Sequence, residues 1–299
     1  MRASSLIFAA MSCGIAACSP GTGAFDATAV DVAALADGAA DAALVAEFHV
    51  HQARTGTTVS GGYLSRAVDP AAIVRGHIVL VRSPVVRRDG PCIATRSPVC
   101  DPPCVGVARC DATEHCVLVE PLGYVDGGPV ALRGADDSLR ADLWFDRTDR
   151  AYRPTIPPGP RRLLVADERA RFVGGEGNLA FDAIVTAPTP VTISVPDPAS
   201  GVHVAAGADL AIRWNAGSSG VVSVTLVASA NGRSVTISCE MPDAGGFAVP
   251  AAMLDILPPP PRSLRLDVER IASIVQPAVG RGLSAFVHVT ESDWRTGLE

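Results

Sequence analysis

The chain has 299 residues, a formal net charge of −6 and no lysine at all. That charge argues against nucleic acid or an anionic membrane surface as a partner. Twenty-eight glycines and 24 prolines, with few long amphipathic stretches, argue for many short strands joined by turns rather than for helices. The length suits two cores of ordinary domain size, and abundant alanine with arginine as the sole strong base reads as the imprint of a GC-rich genome.

At the start, Arg2 precedes an apolar run from Leu6 to Ala17 that is too short to span a bilayer, and Ile15-Ala16-Ala17 leads into Cys18. This segment resembles a bacterial lipoprotein signal. The resemblance implies lipidation of the Cys18 thiol, loss of residues 1–17, and a net charge of −7 once Arg2 is gone. Several acyl chains, at about 0.8 kcal/mol per buried methylene, hold a protein stably where one does not. Ser19, where an aspartate would mark inner-membrane retention, implies lipid anchorage in the outer membrane of a Gram-negative cell, facing periplasm or exterior. An ordinary secretory signal with an incidental cysteine is the alternative.

Residues 18–44 hold Asp26, Asp31, Asp37 and Asp41 among alanines, glycines and threonines, too few large apolar groups for a core. They read as a flexible acidic spacer, with a short Val30–Leu44 helix as the alternative. The aspartate spacing fits no calcium loop. From Ala46 the pattern becomes period two, placing Ala46, Phe48 and Val50 on one strand face and Glu47, His49 and His51 on the other. Further strands are expected at His77–Val81, His115–Val119, Val130–Arg133, Leu139–Phe145, Arg162–Ala166 and Leu179–Thr186, and Gly174-Gly175-Glu176-Gly177 reads as a hairpin turn. Residues 45–187 thus form a β-rich domain with a cysteine-rich insertion at 92–116, and prolines 188, 190, 196 and 198 mark its end.

The segment 188–299 alternates more cleanly. Val191, Ile193 and Val195; Leu210, Ile212 and Trp214; Val222, Val224 and Leu226; Val235, Ile237 and Cys239; and Leu264, Leu266 and Val268 each share one strand face, as the interior of a β-sandwich requires. Val195-Pro196, the run Gly207–Trp214, a valine-rich strand and Gly246–Pro250 resemble the immunoglobulin-like repeats of microbial cell-surface proteins. The resemblance implies a fold and no catalytic residue. It departs in lacking the antibody-type cysteine pair, since Cys239 has no partner within the segment. In the order of its parts the whole chain resembles lipoproteins of predatory soil deltaproteobacteria that combine an acidic spacer, a small cysteine knot and such a sandwich. The expected fold class is all-β, with two tandem β-sandwich-like domains.

Cys92, Cys100, Cys104, Cys110 and Cys116 lie within 25 residues, and export would place them where thiols pair. Their spacing is unlike paired zinc knuckles. Pairing Cys100 with Cys110 and Cys104 with Cys116 would make a crossed clip and leave Cys92 and Cys239 to bridge the domains; other connectivities stay open. Thr95-Arg96-Ser97-Pro98, between Cys92 and Cys100, resembles the reactive loop of small trypsin inhibitors, and a disulfide ring there would present Arg96 to a serine protease.

Nucleophile elbows, phosphate loops, metalloprotease helices and dinucleotide fingerprints are missing at the required spacings. No catalytic residue, metal or cofactor is expected. His49 and His51 could both reach a metal beside Glu47, although a solvated polar edge explains them more simply. His288 is expected to face outward without a partner. Trp144 falls on a polar face with Arg140, Asp142 and Asp146, where an exposed ring would stack on sugars or anchor a protein, and burial under a loop is the alternative. Trp214 is read as core. Together these features point to a lipid-anchored, non-enzymatic envelope protein that binds a protein or glycan, against the alternative of a hydrolase without a local motif.

Overall fold

The computed structural model describes residues 45–64, 83–105, 108–111, 113–118, 124–148, 151–154, 162–217, 220–276 and 284–299. Cys18, the spacer with its alternative helix, and the expected strand His77–Val81 lie outside these residues.

The described chain is almost entirely β. Its first part supplies β1 (Val45–Ala53), β2 (Gly56–Leu64), β3 (Val85–Asp89), β4 (Cys92–Arg96), β5 (Ala108–Cys110), β6 (Cys116–Leu118) and β7 (Tyr124–Val125). Then come β8 (Val130–Arg133), β9 (Leu139–Asp146), β10 (Ala151–Pro154), β11 (Arg169–Gly174) and β12 (Phe181–Thr186). The last part supplies β13 (Ile193–Val195), β14 (Leu210–Trp214), β15 (Val221–Ala230), β16 (Arg233–Pro242) and β17 (Gly246–Val249). A single-turn helix α1 (Ala251–Leu254), β18 (Ser263–Gln276) and β19 (Ser284–Leu298) complete the order. The β8, β9 and β12 expectations hold to within two residues, and the Gly174–Gly177 turn does join β11 to β12. Arg162–Ala166, expected as a strand, is irregular instead: the Leu163 and Leu164 amides donate to Gln52 Oε1 at 2.9 and 3.0 Å rather than to a neighbouring strand.

Two sandwich cores result, and one sheet serves both. Among the described residues, nine strands run β3-β4-β16-β15-β18-β19-β1-β2-β7. The sheet β13-β14-β17 covers one half of it, enclosing Ile212, Trp214, Val224, Leu226, Ile237 and Leu266; the sheet β10-β9-β8-β11-β12 covers the other, enclosing Phe48, Tyr63, Leu132, Leu143, Phe172 and Phe181. The segments exchange strands. Cys92 and Ala94 of β4 belong to the core under β13-β14-β17, and Ala285, Val287 and Val289 of β19 belong to the other. β1 lies parallel to β19, pairing Val45 with Ser284 through Ala53 with Ser292.

Between the cores the inward face of the shared sheet turns polar. The row Gln52, Glu291 and Arg270 lies in register across β1, β19 and β18. Gln52 Nε2 donates to Glu291 at 2.7 Å, and Arg162 meets the same carboxylate with two bonds of 2.6 Å. Arg270 is wholly buried and donates to Asp243 at 2.6 Å and to the carbonyls of Thr189, Pro190 and Asn215. One row along, Asp293 accepts from the Ile193 amide at 3.0 Å while Arg295 donates to the Ile193 carbonyl at 2.6 Å. This belt fastens the proline-rich crossing segment to the sheet, and its buried charges are paired, with Arg295 Nε left as a buried donor without a hydrogen-bond partner.

Candidate functional site

Three places carry side chains suited to chemistry or contact. The first is the outer face of the shared sheet, opposite the cores. β1 is no edge, since β2 and β19 flank it, so this face is not the solvated edge that its polar residues suggest. Glu47 is buried, with its side chain only 2% exposed, and His49 Nε2 lies 2.7 Å from Glu47 Oε1. Directly across the parallel pair stands His288, also buried rather than facing outward alone. The two imidazoles stack at 4.9 Å with an 11° interplanar angle, and His288 Nδ1 is 2.8 Å from Ser273 Oγ on β18. Two residues on, His51 Nδ1 lies 2.8 Å from Thr290 Oγ1 and its Nε2 lies 3.2 Å from Ser292 Oγ. Glu269 comes within 3.9 Å of the same ring. Sequence alone found Glu47, His49 and His51 but could not find His288, Ser273 or Glu269, because their membership depends on which strands pair.

The second place is the cysteine clip. Cys100 bonds Cys110, Cys104 bonds Cys116, and Cys92 bonds Cys239, which stands opposite it in the β4–β16 ladder. The crossed-clip arrangement is therefore the observed one. The inhibitor ring is not: Cys92 and Cys100 take different partners, and Thr95 and Arg96 are extended and paired with Thr236 and Val235. A substrate-like loop needs backbone free to enter a protease cleft, and this backbone is committed to a ladder. Arg96 instead reaches 3.5 Å from Glu114 in the β5–β6 connection, bracing the clip against β4. Asp111 organises that turn by accepting from the amides of Thr113 and His115 at 2.9 and 3.0 Å. These bonds and the Thr113 hydroxyl hold its carboxyl below the usual aspartate range, the His115 amide contributing most. Val105, 83% exposed, stands beside the clip. Among the described residues, the three potential ligand atoms grouped closely enough for a metal are the sulfurs of Cys100, Cys104 and Cys116, and all three are consumed in disulfides.

The third place is Trp144. It is 52% exposed on the outer face of β9, so the buried alternative falls away. Its Nε1 donates to Asp142 Oδ2 at 2.8 Å, which fixes the indole while leaving ring surface in solvent. Arg153 on the edge strand β10 is its register partner. Trp214 is core as expected, with Nε1 donating to Asp243 at 2.7 Å.

No protein-family profile matches the chain, and no curated protein resembles it. Among solved structures, a tetra-tandem repeat from the extending region of a large adhesion protein aligns over 83% of this chain and 74% of that one, at 13% identity and a TM-score of 0.17. Superposition at that level defines no common fold.

Proposed function

We propose that the chain is a lipid-anchored protein of the outer envelope that binds another macromolecule, protein or glycan, without transforming it. The observation that carries this reading is Trp144: a large aromatic surface held in solvent by Asp142 of its own strand rather than folded under a neighbouring loop. Exposed, immobilised aromatic rings contribute contact area at little entropic cost. The clip supports the same reading as a second rigid projection, since its two disulfides restrain a loop that its own apolar groups could not fold.

The hydrolase alternative has one constellation in its favour, Ser292, His51 and Glu269. Ser292 lies inside β19, paired on both sides with β1 and β18. A nucleophile in that position has strand amides committed to ladders where acyl transfer needs donors aimed at an oxyanion. The binding reading is preferred on that ground.

Soluble protein lacking residues 1–18 should be retained by isolated envelope fragments or by their glycans, and Trp144→Ala should weaken retention about tenfold or more. Esterase, glycosidase and peptidase screens should be blank. Retention indifferent to Trp144, or turnover abolished by Ser292→Ala, overturns the proposal. For the anchor, Cys18→Ala should leave the detergent-rich phase, and unchanged partitioning refutes it.

A further inference from the structure

We propose that the cysteine clip, once its two disulfides are reduced, binds one divalent transition metal of the zinc class through Cys100, Cys104, Cys110 and Cys116. The sulfurs of Cys100, Cys104 and Cys116 lie within 4.8 Å of one another, and Cys110 is bonded to the first of them. A tetrahedral centre with metal–sulfur bonds of about 2.3 Å sets its sulfurs about 3.8 Å apart, so the separations among those three change by less than about 2 Å on loading. Four thiolates around a tetrahedral centre suit zinc and its neighbours and exclude the hard ions magnesium and calcium.

Contacts other than the disulfides gather these residues. Cys110 and Cys116 face each other as the pair of the β5–β6 ladder nearest the turn, and in that turn Asp111 accepts from the amides of Thr113 and His115. The Asp111 amide in turn donates to the His115 carbonyl at 2.9 Å. Cys100 and Cys104 flank Asp101-Pro102-Pro103, where two successive proline rings fix the backbone and limit how far a reduced loop can spread. Neither device involves sulfur, so both survive reduction.

The reaction that opens the site is exchange with a dithiol, either a small molecule or a protein of the thioredoxin class. Cys116 is exposed, so a dithiol reaches the Cys104–Cys116 bond directly, whereas Cys92 and Cys239 are wholly buried and their bond is shielded. Each clip disulfide takes two electrons and two protons from one dithiol, which leaves as a disulfide, and the thiols formed release protons to solvent as the metal binds. In the oxidised clip the same sulfurs are bonded in pairs, so metal and disulfides exclude one another. The loop is closed in either state, and the redox poise decides by which bonds.

The test uses the full chain carrying Cys13→Ala and Cys18→Ala, reduced by a phosphine without denaturant or oxygen and titrated with Co2+. One Co2+ per chain should bind with the visible bands and sulfur-to-metal charge transfer of a tetrahedral thiolate site, and Zn2+ should displace it. The oxidised chain should bind none. Cys104→Ser and Cys110→Ser should each weaken binding, and Asp111→Ala, which leaves every sulfur in place, should weaken it about tenfold, the usual effect of removing support from a ligand set. A second readout needs no ligand variant to fold: Zn2+ on the reduced chain should shield cysteines 100, 104, 110 and 116 from alkylation, as counted by mass spectrometry. Absence of Co2+ binding after reduction, equal binding by the oxidised chain, or alkylation unhindered by Zn2+ overturns the site. Binding unchanged by Asp111→Ala also overturns it, leaving four thiols that collect metal without a site built for it.

Discussion

Arg270 shows how much a single side chain can be made to hold. Its guanidinium, without solvent contact, joins β18 to Asp243 and to the backbone of residues 189, 190 and 215. Gly217 is part of the same arrangement, since a Cβ there would lie 2.5 Å from the guanidinium carbon while the Gly217 amide donates to Asp243 at 2.8 Å. Burial works to raise the Asp243 carboxyl, but hydrogen bonds from Arg270, Trp214 and Gly217 outweigh it and hold the group below the ordinary aspartate range. Glu291 goes the other way: burial raises its carboxyl despite Arg162 and Gln52. A lowered carboxyl lends stability above its unfolded pKa and loses it as pH falls through the folded one. Asp243 therefore contributes to acid unfolding below the aspartate range. A raised carboxyl costs stability as pH climbs through the glutamate range and beyond, which is the Glu291 case. At neutral pH, Asp243→Asn should cost about 3–5 kcal/mol by stranding a buried cation. Glu291→Gln should cost far less, because Arg162 is more than a third exposed and can turn to water. Urea unfolding at pH 7 and pH 4 checks both, and equal losses at pH 7 would mean that Asp243 is not the chief counter-charge of Arg270.

At the scale of elements, β4 contributes both a strand and a covalent bond to the core under β13-β14-β17. The Cys92–Cys239 bond spans 147 residues, and chain-entropy reasoning credits a loop of that size with roughly 5 kcal/mol. The double variant Cys92→Ala/Cys239→Ala should lose a large part of that sum in chemical denaturation, with hydrogen exchange rising first in β3 and β4 at the sheet's edge. Uniform exchange across both cores would show that the bond acts globally instead. The strands most legible in the sequence, β8, β9, β12, β14, β15, β16 and the first half of β18, have one dry face and one wetter face, so alternation writes itself into the residues. Others escaped for the opposite reasons. β3 is exposed at all five residues, and β19 is buried at five consecutive positions from Ala285 to Val289, so neither alternates. The polar cluster on the outer face was half legible: Glu47 and His49 share a strand and can be read from spacing, while His288 arrives only through a parallel pairing across 239 residues. Arg270 carried a signal that could have been used, a charged residue continuing the inward row of Leu264, Leu266 and Val268.

At the scale of the whole molecule, the expected tandem of sandwiches is present, but its halves are not independent beads, because β18 places Leu264, Leu266 and Val268 in one core and packs Ala272 against the other. The parallel pairing of the first described strand with the last has a mechanical consequence. Tension applied to the amino end of β1 and the carboxyl end of β19 slides the two strands along each other, loading all nine register pairs together. Tension across Val45 and Leu64, which face each other at one end of the β1–β2 hairpin, would open its pairs one at a time. Single-molecule stretching should give a clearly higher rupture force in the first geometry, since forced unfolding reads the barrier to leaving the native state, and equal forces would show that strands other than β1 and β19 yield first. Resistance to stretching along this line is thus set by which strands are neighbours, not by the number of bonds in the sheet.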